Sequence, residues 1–258
     1  MSHLNPKLSL VTGTVNRPEP FANLVRSIVE HTTVDWELVV SDASDVPVEC
    51  SDPRVRIMPE RPRLGCVKGY NKAFREARGA WIIFLNDDAE VTAGYDTAAI
   101  EFMEAHPQIG LGCLHYSENG GPFHFNSAWG VPYPNFGIFS KALGEQVGYF
   151  DDALIMYGND NSLALRILLA DRGIADIPGS RILHHSKQDE VRADNQKHRA
   201  RDNAVLHDTY MPSRKYWLAT YRKYRLPGQA EPWPHGQEPG EPSIEVKDFL
   251  RAAGIKGV

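Results

Sequence analysis

Cysteine is scarce in this chain of 258 residues: Cys50, Cys66 and Cys113 are odd in number and form no CxxC pair. That excludes a disulfide framework and a clustered zinc site, and the expected setting is reducing and cytoplasmic. Positive charge is also in short supply, with 28 Lys and Arg against 33 Asp and Glu, a net charge of -5. Without surplus cations to replace phosphate counterions, nucleic acid is not an expected partner. No apolar run approaches bilayer-spanning length, and MSHLNPKLSLVTG lacks the basic end and apolar stretch of a signal peptide. No transmembrane segment is expected, so any membrane association would be peripheral. No internal repeat is present, and nothing fixes the oligomeric state. What remains is an ordinary globular composition, 42% hydrophobic and 24% charged, long enough for one large α/β domain or a domain with an appendage.

Leu8 to Val11 is apolar and runs into Thr-Gly-Thr, which suits a buried strand followed by a loop. In RPEPFANLVRSIVEH, Phe21, Leu24, Val25, Ile28 and Val29 recur at helical spacing. WELVVSDASD predicts a second strand ending on Ser41 and Asp42, and Val55 to Met58 a shorter third. GCVKGYNKAFREARG predicts a helix with Val67, Tyr70, Phe74 and Ala77 on one face and Gly79 as its stop. Next comes WIIFLNDDAEV, in which five apolar residues meet Asn86, Asp87 and Asp88 directly. Near-continuous apolar strands alternating with helices predict a mainly parallel sheet covered on both faces. Ligands of such sheets sit beyond the carboxyl ends of the strands. Thr12 to Asn16, Asp42 and Asn86 to Asp88 all lie at such ends, so three strands deliver polar residues to one rim.

A helix is expected around Thr97 to His106. Ser117 to Phe139 is rich in Gly, Pro, Asn and aromatics, among them Trp129, Tyr133 and Phe136, and reads as pocket-lining loops and short strands or as an irregular surface. GNDNSLALRILLADRG predicts a helix opening at Asp160 and closing at Gly173. RILHHS predicts a strand ending in two histidines. Lys187 to His207 is charged throughout and suits a solvated helix or a lid. LPGQAEPWPHGQEPGEP has too much Pro and Gly for regular structure, and a short helix, Ser243 to Ala253, is expected beyond it. These boundaries give a domain over residues 1–215, its halves meeting near 115–116, and a linker with a short helix over 216–258.

Two neighbouring carboxylates at the end of a buried strand require neutralisation. A hard divalent cation, Mg²⁺ or Mn²⁺, does this while sharing its remaining positions with substrate phosphates. The bland alternative is a turn or a helix cap.

The ordered set Gly65, Asn71, Ala77 with Gly79, the apolar strand Trp81 to Leu85, and Asn86-Asp87-Asp88 resembles family 2 glycosyltransferases. GNDNSLALRILLADRG is similar to that family's second half, with Asp160, Arg166 and Gly173 in place. The resemblance covers about Leu8 to Ser186 and implies a GT-A fold, a Rossmann-like mixed sheet flanked by helices. It implies an inverting, metal-dependent transfer of a sugar from a nucleotide-diphosphate sugar to the hydroxyl of a glycan, a lipid-linked carrier or another acceptor. Carried over by position, it puts Thr12, Asn16 and Arg17 near the nucleotide, and Asp42 at the base. Asn71 would face the donor, with Asn86 and Asp87 near the ribose or metal. Asp88 would bind Mn²⁺ or Mg²⁺ together with His184, or alternatively His185, and Asp160 would be the general base. Two departures stand out: Asn86 replaces the first carboxylate of the Asp-x-Asp motif, and Asn159 that of the acidic pair before the second-half helix.

Each assignment has a plainer competitor. Asp160 suits a helix N-cap, and Asp42 a turn. Neighbouring strand residues point to opposite faces, so at most one of His184 and His185 faces a metal. Trp129 and Tyr133 suit acceptor stacking or packing. Two other functions compete: a sugar-nucleotide-binding protein without turnover, and a sugar nucleotidyltransferase, whose Gly-rich Arg/Lys loop VTGTVNRPEP lacks.

Overall fold

The first strand, β1 (Leu8–Thr14), alternates its side chains between two cores: Leu8 and Leu10 enter one, Val11 the other. The computed structural model describes residues 6–229, and the expected helix Ser243 to Ala253 and most of its linker lie outside the described residues. Helix α1 (Pro18–His31) starts with Pro in its first turn and buries Phe21, Leu24 and Ile28. Strand β2 (Trp36–Asp42) is buried throughout, and β3 (Val55–Pro59) forms the half-exposed edge. Helix α2 (Cys66–Glu76) lays Val67, Tyr70 and Phe74 on the sheet before β4 (Trp81–Phe84) and β5 (Ala89–Val91). Then come α3 (Tyr95–Ala105), β6 (Ile109–Glu118), the short strands β7 (Phe123–His124), β8 (Asn126–Ala128) and β9 (Val131–Tyr133), and β10 (Gly137–Ser140). Helices α4 (Lys141–Val147) and α5 (Asn159–Leu169), strand β11 (Gly173–His184), and helices α6 (Glu190–Gln196), α7 (Arg199–Tyr210) and α8 (Arg214–Tyr224) complete the described chain.

The main sheet runs β3-β2-β1-β4-β10-β6-β11-β5, with β7 beside β6. Pairs among β3, β2, β1 and β4 are parallel, as is β6 with β11; β10 is antiparallel to both its neighbours, and β5 to β11. Helices α1 and α3 cover one face, and α2, α4, α5, α7 and α8 contribute to the core on the other. This is the expected α/β sheet of GT-A type, clad on both faces.

Three details depart from the sequence reading. Gly79 does not stop α2, which ends at Ala77 in extended geometry. A Cβ on Gly79 would sit 2.5 Å from the Ser9 nitrogen, so glycine is there for a close crossing of the chain. Gly173 likewise begins β11 rather than closing α5, and its bare Cα clears Tyr224 and Ile109. The boundary expected after residue 215 falls inside α8, whose Trp217 is fully buried against the domain.

Candidate active site

Parallel pairing of β1 with β4, Val11 opposite Phe84, brings the loop after β1 beside the Asn86-Asp87-Asp88 turn. The Thr14 hydroxyl donates to Asp87 Oδ2 at 2.9 Å. Arg17 Nη1 donates to Asp87 Oδ1 at 3.1 Å and reaches Asp88 Oδ2 at 3.4 Å. The carboxylates are thus neutralised in part by this chain's own guanidinium. Below them the Tyr70 hydroxyl donates to the Leu85 carbonyl at 2.6 Å, fixing the strand end from which the turn departs.

The rest of the charge balance comes from β11. Its pairing with β5 sets His184 opposite Ala89, and its pairing with β6 sets it opposite Glu118. His184 Nε2 lies 3.1 Å from Asp88 Oδ1, and Nδ1 lies 2.7 Å from Glu118 Oε2. Phe136 and Tyr116 press edge-on against the imidazole at 5.3 and 5.9 Å. His185 turns the other way and pairs with Glu90 at 3.2 Å, so His184 alone of the two faces Asp88. Asn86 Nδ2 lies 3.4 Å from His184 Nε2.

The two adjacent carboxyls are driven apart. Burial pushes Asp87 up to about 6 against the pull of Arg17. Burial also acts on Asp88, but the His184 contact and the charges of His184 and Arg17 outweigh it and hold Asp88 below its ordinary value. For His184 burial alone would lower the imidazole, yet Asp88 and Glu118 keep it raised. Glu118 is held low because its contacts with Ser186 and His184 overcome its partial burial.

Arg17, Asp87, Asp88 and His184 line a cavity of about 950 Å³ together with Asn16, Tyr133, Tyr157 and Asp160, with Glu118 behind the imidazole. Asp160 lies in the first turn of α5, whose N-cap is Gly158 in the left-handed conformation, so it is not the cap itself. Burial pushes its carboxyl up to about 6, opposed only by backbone N–H donors. Asn16 adopts φ 53°, which Asn tolerates, and exchanges hydrogen bonds with Asp45 that tie the β1 and β2 loops together.

Asp88 and His184 fit a divalent cation in type and placement. Glu118 occupies Nδ1, which leaves Nε2 aimed at Asp88, the orientation that outer carboxylates impose on metal-binding imidazoles. One carboxylate and one imidazole suit a cation whose other positions are filled by phosphate and water. Among the described residues no group of three or more His, Cys, Asp and Glu could hold a metal ion, so substrate oxygens would have to complete the site.

Four expected residues do not line the cavity. Asp42 is fully buried, and its two oxygens accept from the Ser44 and Val48 N–H groups at 2.9 and 3.1 Å, which makes it a turn residue. Asn71 is fully buried and spends its amide on the Phe150 backbone and the Asp152 carboxylate. Thr12 is fully buried below the rim, and Trp129 packs 6.2 Å from Trp217. Sequence reasoning missed Glu118 and Asp189, the latter bonded to Arg17 at 2.6 Å. The only local sign of either was a carboxylate near a segment end.

A parallel half bearing acidic strand ends, joined through an antiparallel strand to a half bearing an acidic helix start, defines a GT-A glycosyltransferase site. The chain belongs to glycosyl transferase family 2, whose pattern it matches over residues 9–160. It is 25% identical over 170 residues to the uncharacterized glycosyltransferase YwdF of Bacillus subtilis, covering 56% of this chain and 62% of that one. To the uncharacterized protein y4gI of Sinorhizobium fredii it is 26% identical over 170 residues, 56% of this chain but 18% of the relative. The fold is shared with Staphylococcus aureus TarS 1-349 in complex with UDP-GlcNAc, at TM-score 0.58 and 16% identity over 78% of this chain and 66% of that one. It is shared also with GalNAc-T7 with UDP, GalNAc and Mn²⁺, at TM-score 0.59 and 14% identity over 72% and 44%. No helix among the described residues is long and apolar enough to cross a membrane.

Proposed function

We propose that this protein is a divalent-metal-dependent, inverting glycosyltransferase that moves a sugar from a nucleotide-diphosphate sugar to an acceptor hydroxyl. The observation that carries this reading is that Asp88, His184 and Asp160 share one cavity. Asp88 and His184 would hold Mn²⁺ or Mg²⁺, which when bound supplies positive charge to the departing diphosphate. Thr14 and Arg17 keep Asp87 and Asp88 oriented at the mouth of β4. Asp160 accepts the acceptor's proton at a carboxylate oxygen as the hydroxyl attacks. A carboxyl raised to about 6 is still ionised near neutrality and is a stronger base than an ordinary aspartate. Attack from the Asp160 side with departure on the cation side is a single displacement, which inverts the anomeric centre. Tyr133 and Tyr157 line the same cavity, where an acceptor would meet them. The ligands named for TarS and GalNAc-T7 make UDP-GlcNAc and UDP-GalNAc the first donors to try.

The test is Asp160→Asn, assayed for donor hydrolysis and transfer with Mn²⁺. Turnover should fall by about 10²–10⁴-fold while the nucleotide still raises the melting temperature. Undiminished turnover in this variant would remove Asp160 from the chemistry. Tight nucleotide binding without turnover by the unaltered protein, over broad donor and acceptor panels, would make it a binding protein.

A further inference from the structure

Helix α6 lies along the cavity, where Glu190, Val191, Arg192 and Asn195 contribute to the lining, yet none of its residues is buried. Apolar packing therefore does not hold it in place. Its N-cap, Asp189, accepts from the Arg192 N–H at 2.8 Å, which starts the helix. The same carboxylate takes Arg17 Nη2 at 2.6 and 2.8 Å. Arg17 meanwhile keeps Nη1 on Asp87 and Asp88. The guanidinium, with only 15% of its side chain exposed, thus joins three carboxylates from two parts of the chain.

We infer that Arg17 is an ionic latch that fastens α6 over the cavity, and that it competes with a divalent cation for Asp88. The latch follows from the geometry: partly desolvated charged hydrogen bonds with two donor nitrogens in use are the strong kind. The competition follows from charge. Arg17 Nη1 stands 3.4 Å from Asp88 Oδ2, so a cation on that carboxylate is repelled by a fixed positive group. Arg17 therefore positions the lid and opposes the metal, which differs from merely contacting the nucleotide. The competition rests on the cation reading given above; the latch does not.

Two variants separate these roles. Asn caps helices as well as Asp, so Asp189→Asn keeps the start of α6 and removes only the ion pair. Asp189 is 36% exposed in its side chain, which makes loss of folding unexpected. Limited trypsin digestion should cut after Arg192 several-fold faster in both Asp189→Asn and Arg17→Gln than in the unaltered protein. Titration with Mn²⁺ alone, read by the electron paramagnetic resonance of unbound ion, should show about tenfold tighter binding in Arg17→Gln and no tightening in Asp189→Asn. Cleavage of Asp189→Asn at the unaltered rate would overturn the latch. Weaker or equal Mn²⁺ binding by Arg17→Gln would overturn the competition. Absence of Mn²⁺ binding by the unaltered protein, both alone and with UDP present to complete the site, would overturn the competition and the cation reading together, with the digestion still judging the latch.

Discussion

Asp87 and Asp88 are neighbours in the chain and opposites in chemistry. The first is surrounded so closely that Arg17 and Thr14 do not offset its burial, while the second gains His184 as well. Asp160, likewise pushed up to about 6, must be ionised to serve as the base we propose. The acid limb of kcat/KM should therefore bend near pH 6 and fall about tenfold per pH unit below it, measured with saturating metal. The stability sign is the reverse. A carboxyl whose folded value exceeds its unfolded one holds its proton more tightly when folded, so its contribution is present in acid and lost as pH rises through about 6. Asp160→Asn should accordingly be more stable than the unaltered protein at pH 8, by about 1–2 kcal/mol in urea denaturation. Glu118→Gln should weaken Mn²⁺ binding about 10–100-fold by calorimetry, since it leaves His184 without its anchoring carboxylate. Asp88, Asp160 and the histidine pair were legible because each ends a strand or begins a helix. Glu118 was not, because its role depends on β6 lying in register with β11, a relation between distant segments.

Among the elements, α7 buries Ala204, Leu206 and Tyr210 and with them one charged side chain. Asp202 is fully buried and accepts from the Ile155, Met156 and Tyr157 N–H groups at 3.2, 2.8 and 2.9 Å, with Arg201 Nη1 at 2.6 Å. It shapes the cavity wall just before Asp160. Asp202→Ala should cost about 2–4 kcal/mol in urea denaturation and raise KM for acceptor more than it lowers kcat, because three N–H groups lose their partner. The regular helices and strands of the first half were legible from their periodicity. Strand β6 was not, since Gly110 and Gly112 break its apolar run. A Cβ at Gly112 would meet Ile177 at 2.4 Å, so tight packing dictates a residue that local preference disfavours in strands. In β11 the Pro178 region carries a register shift between Ile177 and Arg181, and this hid the strand upstream of RILHH.

For the molecule as a whole, the core continues past the expected boundary. Trp217 is fully enclosed and donates its indole N–H to the Tyr210 carbonyl at 3.1 Å. Trp217→Ala should lower stability by about 3–5 kcal/mol, seen as a reduced urea midpoint. The basic run around it, RKYWLATYRKY, disguised a packed helix as the start of a tail. The order of the main sheet has a further consequence. Strand β10 runs against both β4 and β6, sewing the half that carries Asp88 to the half that leads into Asp160. A fabric stitched through its middle has no seam to open. Movement that admits a sugar is therefore expected in the helices and loops bordering the cavity, such as α6, rather than between the two halves of the sheet.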